Sequence, residues 1–371
     1  MSTSIQVATR KGLVTARRTP AGWRIDPKID FLGAPVTVTL HDRRSGYSYA
    51  TLNHGHFGQK LHRSKDRGAT WEEIAVPVYP AKPEGAEDVL CPMRKVPVPW
   101  SLQMIWALET GAAPGQIWCG TIPGGLFVSY DHGETWQLNE PLWNRPERAK
   151  WFGGGYDWPG IHSISIDPRD RRQLTVAISC GGSWLSQDDG ATWEIRAKGM
   201  RAAYMPPGVA EDPDIQDAHR LARCESHPDV LWVQHHNGVF RSENNGMEWR
   251  ELPNAAPSGF GFAVAAHPKN PDVAWFAPGM SDEVRVPVDG RFVVSRTQDG
   301  GKTFEVLSSG LPEPPACHLV YRHGLDVDST GELLVMGSTT GSLWVSENGG
   351  DHWMRVSAEL PPIYSVRVVE G

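Results

Sequence analysis

The sequence predicts an all-β chain built of repeated four-stranded sheets, a seven-bladed β-propeller with six blades as the alternative count. Three observations carry that expectation. One eight-residue motif recurs in six good copies. Turn formers are abundant, with 39 glycines and 30 prolines between short apolar runs. The 16 tryptophans suggest one in each repeated unit.

The motif reads S-x-D-x-G-x-T-W and occupies Ser64–Trp71, Ser129–Trp136, Ser186–Trp193, Ser242–Trp249, Thr297–Phe304 and Ser346–Trp353. A worn seventh copy, Thr15–Trp23, closes a similar hairpin. Its physics is local. Ser or Thr and Asp or Asn can hydrogen-bond backbone groups across a tight turn, and Gly supplies positive φ. The last aromatic opens the next strand and fills space between units. The motif is therefore a hairpin staple joining third and fourth strands, with no catalytic meaning of its own.

Reading back from each copy yields the other strands, by alternation. The second unit gives Val36–Asp42, Tyr47–Asn53, Leu61–Lys65 and Thr70–Ala75. The fourth gives Ile161–Asp167, Leu174–Ser179, Ser183–Ser186 and Thr192–Ala197, and the sixth Phe260–Ala266, Val273–Ala277, Arg291–Arg296 and Thr303–Leu307. The first unit has only Ile5–Thr9, Gly12–Ala16 and Gly22–Ile25, while Ile363–Val369 lacks a unit. The C-terminal run is expected to supply the missing innermost strand, which removes an open edge. The whole chain is read as a single domain.

This pattern resembles the Asp box, or BNR repeat, of the sialidase superfamily, and the resemblance spans essentially the whole chain. The chain is similar to bacterial BNR-repeat proteins described as glycosyl hydrolases or exo-α-sialidase-like. That implies a propeller fold and a carbohydrate or other polar small molecule as ligand. Catalysis by a true sialidase would need an arginine triad, a Tyr–Glu nucleophile pair and an Asp acid/base. The family's N-terminal F/Y-R-I-P motif is absent, and neither Thr121–Pro123 nor Val284–Pro287 replaces it. Tyr364 follows the last motif as a nucleophile would, but a tyrosine entering an inner strand is commonly packing. Sialidase activity is therefore not expected.

Three long connections, roughly Val76–Pro99, Leu138–Pro159 and Ala197–Asp217, each link a fourth strand to a first strand. They are expected on the side opposite the motif hairpins, where the binding face and the channel mouth should lie. His162, His235, Glu225, Arg322 and Tyr321 are the candidate catalytic residues. Arg10, Lys11, His54, His56, Tyr156, Trp158, His219, His236 and Arg285 are the candidate ligand contacts. His162, His219 and His235 could hold a divalent metal, with Glu225 or Glu109 as carboxylate ligand. The same histidines could equally bond backbone groups in tight turns. Trp143 and Trp151 are expected to pack their loop down, leaving Tyr156 and Trp158 as a platform. No cofactor is fixed by these residues. A glycoside hydrolase-like or metal-assisted hydrolase or lyase, and a non-catalytic ligand- or protein-binding propeller, both remain open.

The net charge is −7 and no extended basic run occurs, which disfavours a nucleic-acid partner. The N-terminus carries no secretory pattern, and no stretch is long and apolar enough for a membrane span. Five widely spaced cysteines form no CxxC pair, so reduced thiols and a cytoplasmic location are expected. Oligomeric state is not legible.

Overall fold

A computed structural model describes residues 3–370. They form seven four-stranded antiparallel sheets, the blades of a seven-bladed β-propeller. Blade I orders its strands as Ile363–Val369, Ser4–Thr9, Gly12–Thr19 and Gly22–Asp30. Blade II contains Val36–His41, Ser48–Asn53, Gln59–Ser64 and Glu72–Ile74, and blade III Met104–Thr110, Ile117–Ile122, Leu126–Ser129 and Gln137–Leu138. Blade IV contains Ile161–Ile166, Leu174–Ile178, Gly182–Ser186 and Glu194–Ile195, and blade V Ala218–Arg223, Leu231–His235, Gly238–Ser242 and Arg250–Glu251. Blade VI contains Gly261–Ala266, Ala274–Pro278, Val294–Thr297 and Glu305–Leu307, and blade VII Leu325–Val327, Leu334–Gly337, Leu343–Ser346 and Met354–Ser357. Among the described residues, no helix is long and apolar enough to cross a membrane.

Contacts divide the chain into two compact units. The first holds the residues up to Thr39, Ala222–Asn245 and those from Trp249 onward; the second holds Leu40–Leu221 and Gly246–Glu248.

In the first unit the C-terminal strand behaves as the sequence required. Ile363–Val369 pairs antiparallel with Ser4–Thr9, placing Val366 opposite Val7. Its apolar side chains join Ile5, Val14 and Val345 in one buried cluster. A second cluster of this unit is built on Trp275, Trp344, Trp353 and Phe292. The Thr15–Trp23 hairpin is present, but Thr19 bonds the Gly22 carbonyl at 2.8 Å in place of the motif's staple. The carboxyl of the worn copy is missing, so its turn closes with a hydroxyl alone.

In the second unit the staple takes the same form in each copy. Ser129 Oγ accepts from Gly133 N at 2.8 Å and donates to Asp131, whose carboxylate takes Thr135 N and Oγ1 at 2.9 and 2.6 Å. The residue after the motif Asp sits in the left-handed region, as His132 (φ 61°) and Asp189 (φ 58°) do. The core packs Trp118, Trp151, Trp184 and Trp193 against Leu174, Val176 and Ile178.

The tryptophans correct one expectation. They exceed one per unit because two classes recur along the blades, and Trp100, Trp106, Trp143, Trp151 and Trp158 add to them in a first strand and the long loops. The motif aromatic is one, exemplified by Trp136, whose indole donates to Ala75 O at 2.9 Å. The other lies on second and third strands, at Trp118, Trp184, Trp232, Trp275 and Trp344, all fully buried. Burying a large ring on each of these strands is what gives small sheets a core.

Candidate functional site

Strand register fixes which end of a blade the long connections approach. In blade III, Met104 at the start of the first strand faces Ile122, whereas Ser129 of the motif faces Ile117 at the other end of the second strand. Gln137 pairs with Val128 and Leu138 with Phe127, so the fourth strand leaves the motif end, and the connection after Leu138 begins and ends on the opposite side. Short helices at Glu140–Trp143, Pro146–Lys150 and, in the next connection, Pro213–Ile215 give these loops structure the sequence did not reveal. Asn139 caps the first by accepting from Leu142 N at 3.1 Å. Trp143 and Trp151 are buried as expected and hold the loop down.

The segment Trp151–Trp158 then does two things. Gly154 closes on a buried polar cluster: its N–H donates to Ser179 Oγ at 3.2 Å. A Cβ there would stand 2.5 Å from Asp217 Oδ2 and 2.9 Å from Cys180 Sγ, so any other residue would displace that cluster. Tyr156, two residues on, stays 50% exposed. Its ring meets Trp106 edge-on at 5.2 Å, and Trp106 meets His162 likewise at 5.3 Å. Trp158 is half-buried, with the Arg94 guanidinium 5.3 Å from its ring and Arg94 paired to Asp157. Of these rings Tyr156 alone is exposed, held in place by the buried Trp106, while Trp158 is half-covered.

Asp217 is the centre of the polar cluster. Its Oδ2 lies 3.2 Å from His219 Nε2, and its Oδ1 accepts from Cys180 N at 3.3 Å and Ser179 Oγ at 3.4 Å. Cys180 adopts φ 42°, a left-handed conformation costly for a residue with a Cβ. Tyr204 OH lies 3.8 Å from Cys180 Sγ and donates to Ile215 O at 3.3 Å. Burial, reinforced by the Asp217 charge, pushes its phenol far above the usual range, so it stays a neutral donor. Chemically the cluster offers a carboxylate-oriented imidazole, a thiol and a phenol. Asp217 and His219 are two of the ligands that a divalent ion would require.

The first unit gathers a different set. Tyr364 stacks on Tyr321 at 6.2 Å, and burial raises the Tyr364 phenol while nearby Arg10 opposes that rise. Tyr321 lies 6.5 Å from Phe262, over which stand the guanidinium groups of Arg322 at 5.1 Å and Arg285 at 5.4 Å. Arg285 is paired with Asp282. His235 is buried edge-on to Phe240 at 5.2 Å and accepts from Asn237 N at 3.4 Å, while His236 meets Phe260 at 6.0 Å. The His235 bond closes its own tight turn.

The remaining residues separate. Lys11 is exposed beside Arg10 in the turn between Ser4–Thr9 and Gly12–Thr19. His54 and His56 flank the exposed Phe57 ring in a short helical turn, at 5.1 and 4.3 Å. In the second unit His162 shares Nδ1 with Ser163 Oγ at 3.0 Å. Glu225 requires correction as a catalytic residue. It is exposed in the turn before Leu231–His235, where Arg223 bonds Asn245 of the Ser242–Trp249 motif at 3.0 Å. That is the motif end of the blade, and His235 ends the strand at the other. Glu109 also fails as a ligand: it faces Thr110, whose carbonyl holds Arg171, next to the motif side. Sequence spacing could not separate the two ends of a sheet for residues in short turns. Asp217, Cys180 and Tyr204 were missed. The Asp217–His219 spacing of two, which puts both on one side of a strand, was the available signal.

Comparison with known proteins agrees with the motif. The BNR/Asp-box repeat family model matches residues 127–138. The oligoxyloglucan-reducing end-specific xyloglucanase of Emericella nidulans is 24% identical over 236 residues, 60% of this chain and 27% of that protein. The GH74 xyloglucanase of Xanthomonas campestris superposes with a TM-score of 0.64 at 16% identity, over 95% of this chain and 52% of that one. The chain thus spans about a quarter and about a half of these two relatives. YCF48 bound to D1 peptide gives a TM-score of 0.54 at 14% identity, over 87% of this chain and 81% of that one. At these identities the superpositions establish the fold.

Proposed function

Given that the chain is a BNR-repeat β-propeller, we propose that it binds a carbohydrate on the Tyr156–Trp158 surface of its second unit, which the buried Trp106 backs. The observation that carries this reading is Tyr156: half exposed, yet fixed edge-on against Trp106. Sugar rings present apolar faces, and a rigid aromatic surface receives them at little cost in entropy. The same segment touches the Asp217 cluster through Gly154. Polar groups for sugar hydroxyls therefore belong to the same loop system. The likeness to a xyloglucan-cleaving enzyme supports a neutral glycan as the class to try first.

Calorimetric titration with xyloglucan oligosaccharides and other neutral β-glucan oligosaccharides tests the reading. Binding is expected, and Tyr156→Ala or Trp158→Ala should weaken it about tenfold. An absence of binding across the panel, or binding indifferent to both substitutions, overturns it. Reducing-sugar release in the same samples decides whether binding leads to cleavage. A sialic-acid reporter should release nothing.

A further inference from the structure

The repeats mark a second place by where they differ from one another. The position after the motif's Ser or Thr holds Lys65, Gln187, Glu243, Gln298 or Glu347 in five copies, and Tyr130 in the sixth. The position after the motif's Asp or Asn holds Arg67, His132, Asn245, Gly300 or Gly349, and Asp189 in the copy that follows Tyr130's. Neither departure serves the hairpin. Both copies keep their Ser-to-Gly staple at 2.8 Å. Yet the two residues, 59 positions apart in sequence, line one groove of about 600 Å³.

The groove is open; Val78, Pro80 and Trp136 are among its apolar walls, and Gln137 and Asn139 among its polar ones. Val78 is 75% exposed and Tyr130 53% exposed. Glu140 adds a second acid, and among the described residues no lysine, arginine or histidine lines it. Asp189 is held rigidly, taking Gln116 Nε2 at 2.8 and 2.9 Å on its two oxygens. Burial raises its carboxyl, against the pull of the Gln116 bond and of Arg172. Arg172 itself is paired with Asp170 at 3.0 Å. A partly desolvated carboxylate beside an exposed phenol and an indole is a recognition element for an organic cation.

We propose that this groove takes a lysine or arginine side chain from an extended peptide segment of a partner protein. The cationic head would pair with Asp189, and the aliphatic stem would cross the Tyr130 and Trp136 rings. Residues flanking it would lie along Val78 and Pro80. The chain's net charge of −7 favours approach of such a partner. The proposal is independent of the carbohydrate reading, since it uses other residues.

The test uses capped alanine-based peptides with a central lysine, arginine or norleucine, titrated into the full-length chain and followed by NMR or calorimetry. The two basic peptides should bind about tenfold tighter than the norleucine peptide. Asp189→Asn installs the residue that the chain already carries at Asn245 in the same left-handed slot (φ 56°), so folding should survive. Tyr130→Gln likewise matches Gln187 and Gln298. Each variant should melt like the parent, keep its carbohydrate binding, and lose most of its preference for a basic side chain. Equal binding of the norleucine peptide, no binding of any basic peptide, or a full preference retained in Asp189→Asn would overturn the proposal.

Discussion

His219 Nε2 lies 3.2 Å from Asp217 Oδ2, and each side chain is almost wholly removed from solvent. The carboxylate also takes Ser179 Oγ and Cys180 N, so three donors depend on it. Asp217→Ala would strand them in the interior. A loss of about 3 kcal/mol in unfolding free energy is expected, read from urea denaturation. A change near zero would show that the site is wetter than its burial implies.

Asp66 and Asp299 are held at about 2, chiefly by hydrogen bonds from Thr70 and Thr303 respectively. Their folded values lie below the ordinary 3.8. The unfolded chain therefore binds more protons in that window, and stability falls as pH drops through it. Denaturation midpoints should decline between about pH 4 and about pH 2. Asp299→Asn should flatten part of that decline, because an amide does not titrate. Asn348 shows that the staple accepts an amide, receiving His352 N at 3.0 Å. An unchanged acid slope in Asp299→Asn would remove the motif carboxylates from the account.

Trp184 is fully buried, donates to Gly181 O at 2.8 Å and meets Trp151 at 5.9 Å. Trp184→Ala should cost about 4 kcal/mol by cavity formation and a lost hydrogen bond. Trp23, of the worn motif copy, is only partly buried, and Trp23→Ala should cost well under half as much. Calorimetric melting of both variants checks the contrast.

Truncation before Ile363 removes the strand that pairs with Ser4–Thr9. It exposes an apolar strand edge and opens the cluster around Ile5, Val7 and Val14. The shortened chain should aggregate or lose its cooperative melt. A soluble truncation with an unchanged melting temperature would refute the structural role given to the C-terminal strand.

The blades were legible because their information is local. The Ser64–Trp71 motif and its five good repeats spell out side chain–backbone bonds that close within five residues, so spacing alone locates each hairpin. The surplus of a C-terminal strand over a three-stranded first unit was equally readable, since an unpaired edge needs a partner. The candidate site was legible in part. Trp143 and Trp151 are buried as loop packing required, while Tyr156 is exposed and Trp158 half-buried.

What the chain's order of residues decided alone is the repeat, the hairpin chemistry and hence the sheet count. Tertiary structure alone decided which side chains meet. Glu225 and His235 are ten positions apart yet lie at opposite ends of one strand, whereas Gly154 and Asp217 are 63 positions apart and touch. A hairpin's bonds are set by neighbours along the backbone. A site is set by loops folding back over several sheets, and their paths depend on packing that no short pattern encodes.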